Sequence, residues 1–313
     1  MNDEELTLMN LARKYSDEDT ARTYLENLRW PAGIPVCPFC SSEGSRINRK
    51  ASCGRKAQKG VCKCKSPECR KQFTVTKGTV FESSHVGISL WMMAMFIMCS
   101  SKKGVSAHQI HRMLSVTYKT AWFMCHRIRY AMEEGPMREL LEGKVEVDET
   151  YVGGKPRPGD GKVHKRGRGT SKTPVMVLVE RDGRAMSKPL ERVDANTLQR
   201  EIIENVHPLS AIRTDEHLGY KGIGKHFEGG HLAVNHSRKQ YKKGDACTNT
   251  AESYFAILKR GVYGTFHHVS KKHLHRYCGE FDFRWNNRKV SDSDRTKSGL
   301  GSIEGKRLKY RDS

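Results

Sequence analysis

Acid is what this chain is short of. Asp and Glu number 35 against 56 Lys and Arg, which leaves a formal charge of +21 over 313 residues. A surplus that large, spread along the whole chain, favours an extended anionic partner, and nucleic acid is the commonest. Long apolar runs are also missing. The longest, ISLWMMAMFIMC at 88–99, falls well short of the roughly 20 residues that span a bilayer. The N-terminal MNDEELTLMNLARKYSDEDTARTY is charged and has no apolar signal core. These absences imply a cytoplasmic chain with no membrane partner, where a reducing environment argues against disulfides. There is no internal repeat. The basic, Gly-rich GDGKVHKRGRGTSKT at 159–173 lacks the spacing of a nucleotide P-loop and reads as a DNA-gripping or plainly solvated loop. The histidines of HHVSKKHLHRY read as contacts to phosphate or water rather than to metal.

The ten cysteines are present but unevenly placed. Residues 35–80 are rich in Cys, Gly, Lys and Ser and poor in apolar residues. A stretch like this cannot build its own core and needs another source of stability. Cys37 and Cys40 form C-x2-C, and Cys64 and Cys69 form C-x4-C some way later. Two pairs of thiolates, each on a tight turn and converging on one ion, are what tetrahedral Zn²⁺ requires. Cys62 stands as an alternative to Cys64, which gives the tighter turn. Cys53 is surplus, and Cys99, Cys125, Cys247 and Cys278 stand alone as packing residues.

The rest of the chain divides by pattern. Residues 1–34 form an N-terminal helical segment, with a helix in 16–33 that Ser16 can cap and Pro31 ends. Residues 85–135 read as helical. Within them, SAHQIHRMLSVTYKTAWFMCHRIRY fits two helices joined near Leu114-Ser115-Val116, a helix-turn-helix-like DNA-binding region. Ile110, Met113, Leu114, Ala121, Trp122, Cys125 and Ile128 would pack inward. Tyr118, Lys119, Thr120, Arg127 and Arg129 would face phosphates or bases. From about 144 strands alternate with helices, an α/β pattern. KVEVDETYVGG, TPVMVLVE and RAMSKPLE, SAIRTD and HLAVNHS read as strands. DANTLQREIIENV and TNTAESYFAILKRGV read as helices, the first capped by Asp194 or Asn196. Residues 291–313 read as a polar, loosely ordered tail.

Three acids stand out in this second half. In VEVDETYVGG, Val145 and Val147 face one way and Glu146 and Asp148 the other. An acid in a central strand is costly unless it binds something. Asp215 follows a short apolar strand, at the sheet edge where α/β proteins build sites. Glu252 lies on a helix that also carries Lys259. Carboxylates from three separated elements can hold two Mg²⁺ ions for phosphodiester chemistry. A blander account has Asn249 capping that helix with Glu252 as its capping-box partner, and Asn249 is itself a candidate ligand. A charged oxygen suits a hard cation better than an amide, which favours Glu252.

The motifs LENLRWPAGIPVCPFC, CRKQFTVTKGTVFESSH, VEVDETYVGGK, TDEHLGY, VNHSRKQY, TNTAESYFAILKRGVYGTFHHVSKKHLHRY and EFDFRWNNR occur in this order. Together they resemble DDE-type bacterial insertion-sequence transposases with an N-terminal zinc ribbon. The resemblance covers about residues 15–290. It implies a zinc ribbon at 35–80 and a ribonuclease H-like catalytic domain at 140–290, with Asp148, Asp215 and Glu252 as catalytic acids holding Mg²⁺, or Mn²⁺ in its place. Lys259 would contact DNA phosphate, and Glu280 and Arg284 match a recurrent pair. It further implies an enzyme that cleaves element ends and joins their 3′ hydroxyls to target DNA, acting as a homo-oligomer on double-stranded DNA in the bacterial nucleoid. The alternative is a non-catalytic DNA-binding protein derived from a transposase. The C-x4-C pair is wider than the C-x2-C usual in such ribbons.

Overall fold

A computed structural model describes residues 5–49, 58–133, 139–154, 172–234 and 248–312. Its first helices are α1 (Leu8–Lys14) and α2 (Glu18–Arg29), followed by strands β1 (Gly44–Arg49), β2 (Gln58–Cys64) and β3 (Gln72–Phe73). Helices α3 (Ile88–Ser100), α4 (Ala107–Leu114) and α5 (Tyr118–Met132) come next. Then come β4 (Lys144–Val152), β5 (Thr173–Glu180), β6 (Ala185–Pro189), α6 (Ala195–Asn205), β7 (Ala211–Asp215) and β8 (His231–Val234). The chain closes with α7 (Asn249–Gly261), α8 (Leu274–Asn286) and α9 (Asp292–Gly301). It folds as two compact units, 1–132 with 290–313, and 133–289. The loop at 159–173 falls outside the described residues save for its last two, as do Cys53, Cys247 and most of VNHSRKQY.

The first unit is organised around α3. This helix is apolar on every face, which suits a helix enclosed by others. Trp91, Met92, Met95, Met98 and Cys99 are buried, with α1, α2, α5 and α9 packed around them. Gly87 precedes α3 and offers no side-chain cap. Glu18 of α2 does that work, accepting from the N–H groups of Ile88 at 2.7 Å and Ser89 at 3.2 Å. A carboxylate on the positive end of the helix also satisfies donors that would otherwise be orphaned. In α2 the cap is Asp17, which accepts from Thr20 N at 2.8 Å, rather than the expected Ser16; the acid is one residue closer to the first free N–H groups. β1, β2 and β3 form a small antiparallel sheet.

Two expectations fail in this unit. Residues 291–313 are not a loose tail. Ser291 caps α9, Arg295 Nη1 donates to the Cys99 carbonyl at 3.1 Å, and Leu300, Ile303 and Leu308 are buried. Gly299 permits the approach, because a Cβ there would meet Met95 Sδ at 3.1 Å and Cys99 Sγ at 3.3 Å. The second failure lies in the helical pair. Ser106 caps α4, and Ser115 takes the left-handed conformation (φ 52°) that turns the chain into α5. Ile110, Ala121, Cys125 and Ile128 are buried as expected, but Met113 is 48% exposed. Arg127 and Arg129, expected outside, are 5% and 2% exposed. α5 is covered on more sides than a single apolar stripe allows for.

The second unit is a five-stranded sheet in the order β6-β5-β4-β7-β8. β4, β5 and β6 run antiparallel, joined between β5 and β6 by a turn in which Asp182 has φ 64°. β7 and β8 run parallel to β4. One face packs Val145, Val147, Leu178 and Ile212 against Leu198 and Ile202 of α6, a helix capped by Asp194. The other packs Val175, Val177 and Val179 against Tyr254, Phe255 and Leu258 of α7 and Cys278 and Phe281 of α8.

Candidate metal centre and active site

The four thiols chosen from sequence meet. The Sγ atoms of Cys37, Cys40, Cys64 and Cys69 all lie within 4.8 Å of one another, with Cys37–Cys69 at 3.8 Å and Cys40–Cys64 at 3.4 Å. Sulfurs about 2.3 Å from a central tetrahedral zinc stand about 3.8 Å apart, so the donor set fits that ion in both number and spacing. Each pair sits on a knuckle. Ser41 (φ 59°) and Arg70 (φ 45°), the residues after Cys40 and Cys69, take left-handed backbone. Their N–H groups turn back to the carbonyls of Cys37 and Ser66. The C-x4-C spacing closes because the extra residues form this turn at the end of β2. Hydrogen bonds from the backbone and side chain of Ser42 lower the Cys40 thiol to about 6, while burial pushes Cys64 up to about 12. Cys62 is outside the cluster. It is fully buried two residues back along β2, paired across from Phe73, and burial first, then Glu26, raises its thiol.

In the second unit the register places the first two acids. β4 pairs with β7 in parallel, Val145 opposite Ile212 and Glu146 opposite Arg213. Asp148 and Asp215 lie two residues beyond the paired Glu146 and Arg213, so strand alternation turns both toward the face that α7 and α8 cover. Asp148 is half-buried and its Oδ1 accepts from Glu149 N at 2.8 Å. Asp215 ends β7, and its Oδ1 accepts from His217 N at 3.0 Å. Both carboxylates bear on Tyr220. Its hydroxyl is held far above its ordinary pKa by burial first, then by Glu149, with Asp215 and Asp148 adding to it. Tyr220 therefore remains a donor, and it donates to Glu149. Strand alternation turns Glu149 to the face opposite Asp148, and the bond ties it to Tyr220 there.

The neighbouring acid, Glu146, has a role the sequence reading did not assign. It has no exposed surface. Oε2 accepts from Thr250 N at 2.7 Å and Ala251 N at 3.2 Å, and Oε1 from Thr250 Oγ1 at 3.0 Å and from Nε and Nη2 of Arg181, each at 3.2 Å. The α7 helix thus begins on a strand carboxylate. Thr248 is its N-cap residue and makes no side-chain cap bond, so the predicted cap by Asn249, with Glu252 as capping-box partner, is replaced by a long-range one. Asn249 and Glu252 are both exposed. Lys259 lies further along α7, its Nζ 6.0 Å from the centroid of the Phe255 ring. Arg284 is 7% exposed and paired with the fully buried Glu280, a placement that supports the fold of α8 rather than reaching toward phosphate. The three acids are not drawn into one cluster as the cysteines are. Among the described residues, only the thiols bring three or more candidate ligand atoms within 4.8 Å of one another.

Residues 140–286 match the ISXO2-like transposase domain, and residues 16–72 match the transposase zinc-ribbon domain. The chain is 29% identical over 283 residues to a protein of transposable element ISH50 from Halobacterium salinarum, covering 87% of this chain and 92% of that one. A simian T-cell lymphotropic virus intasome, solved with the PP2A regulatory subunit B56 gamma, aligns over 62% of this chain and 67% of its own. Its TM-score of 0.28 and 13% identity are too low to bear on the fold. No described helix is long and apolar enough to cross a membrane.

Proposed function

Since this chain belongs to the transposases that join a zinc ribbon to an ISXO2-like domain, we propose that it cleaves the DNA ends of an insertion sequence and joins their 3′ hydroxyls to target DNA. The observation that carries this reading is the parallel pairing of Glu146 with Arg213, two residues before Asp148 and Asp215 on adjacent strands, with the helix bearing Glu252 tied to Glu146 of the same strand. The strand order, with three antiparallel strands leading into two parallel ones, supports a ribonuclease H-like catalytic fold. Asp148, Asp215 and Glu252 would hold Mg²⁺, or Mn²⁺. Bound there, such ions activate an attacking oxygen and stabilise the leaving oxygen of a phosphodiester. The chain's own groups do the rest. Glu146 fixes where α7 begins and so where Glu252 stands. Tyr220 withholds Glu149 from the site. Lys259, further along the same helix, would meet a phosphate.

The ribbon would hold one structural zinc, and with the helical region it would supply binding to double-stranded DNA at element ends. The enzyme would act as a homo-oligomer on that DNA, in the bacterial cytoplasm and nucleoid. The test is incubation of the full chain with pre-cut element ends, plasmid target and Mg²⁺. Strand-transfer products dependent on the ends support the proposal. Binding with no joining would point instead to a non-catalytic DNA-binding protein, and cutting regardless of the ends to a general nuclease.

A further inference from the structure

The helical part of the first unit carries a half-open cavity of about 270 Å³. Ser83, Ser84 and His85 line one side, and Lys119, Phe123 and Arg127 of α5 the other. Tyr310 adds a wall, its ring 5.4 Å from that of Phe123 and 4.8 Å from Lys119 Nζ. Arg127 is the anomaly. It is 95% buried (5% exposed), and its Nε is shut off from solvent with no partner. Among the described residues its guanidinium makes no hydrogen bond, and it stands over the face of Phe123, 4.4 Å from the centroid. The acid it feels, Glu82, is already engaged by Lys77 Nζ at 2.8 Å, Gly78 N at 2.9 Å and Arg307 Nη2 at 3.2 Å. Lys77 and Arg307 thus already hold the carboxylate that Arg127 feels, and Lys119 adds a further cation beside the cavity. A buried cation with an unmet donor is costly, and a guanidinium beside hydroxyls and a lysine matches an oxyanion.

We propose that this cavity is a phosphate pocket for a nucleotide, with Arg127 as its buried donor and Lys119 as its gate. The aromatic wall of Phe123, Trp91 and Tyr310 suits the sugar or base that accompanies the phosphate. The source is nucleic acid, so the proposal deepens the DNA-binding reading above and rests on it.

The experiment uses the full zinc-bound chain, as wild type, Arg127→Met and Lys119→Gln. Thermal unfolding is followed with and without millimolar inorganic phosphate at matched ionic strength, and affinity is measured for a short 5′-phosphorylated oligonucleotide and for duplex DNA. Phosphate is expected to raise the wild-type midpoint. Arg127→Met should be as stable as wild type, or more so, in phosphate-free buffer, because an unpaired buried charge has gone. It should lose the phosphate response and bind the oligonucleotide at least about tenfold more weakly. Lys119→Gln, at an exposed position, should show a reduced response. An equal phosphate response in all three proteins overturns the pocket, as does an Arg127→Met protein that is unfolded without phosphate while Lys119→Gln responds as wild type. Duplex binding separates the two readings. If Arg127 has no effect on phosphate while duplex still binds, only the pocket falls. If duplex fails to bind while phosphate acts through Arg127, only the DNA reading falls.

Discussion

Thr250 donates its backbone N–H to Glu146 Oε2 at 2.7 Å, tying the helix that carries Glu252 to the strand that carries Asp148. Glu146 is wholly buried and accepts from Thr250, Ala251 and Arg181. Removing it takes away the acceptor of the first N–H groups of α7 and breaks the ion pair with Arg181. Glu146→Ala is therefore expected to cost about 3–5 kcal/mol, the range for breaking one side of a buried ion pair. It should abolish strand transfer, although Glu146 is not one of the three proposed ligands. Chemical denaturation followed by fluorescence, run beside the joining assay, measures both. A variant with wild-type stability would show that α7 is positioned by its apolar face alone.

What was legible in the sequence was local. The cysteine pairs could be read because metal ligands must sit on tight turns, and tight turns leave short spacings. The strand positions of Asp148 and Asp215 could be read because each ends or interrupts an apolar strand. The caps of α3 and α7 could not, since Glu18 and Glu146 reach them from distant parts of the chain and no spacing records it. α9 was missed for a different reason. Its sequence, DSDRTKSGLG, is polar, yet it buries Ser293, Thr296 and Leu300 and packs on α3 through Gly299. Small residues allow close helix approach without advertising an apolar face. Arg127 and Arg129 misled because charge is ordinarily read as exposure.

The zinc centre yields a ligand test. Cys37→Ser and Cys69→Ser should each release the metal and loosen the ribbon, and Cys64→Ser should do the same. Cys62→Ser should retain about one zinc per chain, since Cys62 lies outside the cluster. Elemental analysis of the four variants decides it, and zinc lost from Cys62→Ser but kept in Cys64→Ser reverses the assignment. The pH dependence has a definite sign. Zinc binds thiolates, so affinity falls as protons compete. Cys40, held down to about 6, contributes its thiolate above that value and loses it as the pH falls through it. Below about 6 each bound zinc must displace one proton more, and retention should fall more steeply there. A retention curve that stays flat from neutrality to well below 6 would contradict a thiolate site.

DNA affinity should fall steeply with salt. A chain of net charge +21 that tracks phosphates releases a counterion for nearly every contact, and the logarithmic slope counts them at about 0.9 per phosphate. Fluorescence anisotropy over a salt series measures this slope. Deleting residues 1–135 should remove preference for element ends while leaving weak general binding. Unchanged end preference in that truncation would mean that recognition resides in the second unit.

The third acid is the sharpest question, because the structure removes one of its rivals. A capping-box role for Glu252 required Asn249 as the cap, but Thr248 is the N-cap residue and Glu146 receives the first N–H groups of α7. Glu252 is left exposed with no side-chain partner among the described residues, on the helix edge that also carries Lys259. A carboxylate binds a hard cation better than the amide of Asn249 does. Glu252→Gln should therefore keep fold, zinc and DNA binding but lose Mg²⁺-dependent cleavage and joining. Loss of a ligand worth several kcal/mol corresponds to a rate on the order of a thousandfold slower. Asp148→Asn and Asp215→Asn should behave alike. Asn249→Ser should keep most activity, since neither the cap nor the charge depends on it. Single-turnover joining rates for the four proteins decide the matter. If Glu252→Gln joins DNA near the wild-type rate while Asn249→Ser is inactive, the ligand is Asn249.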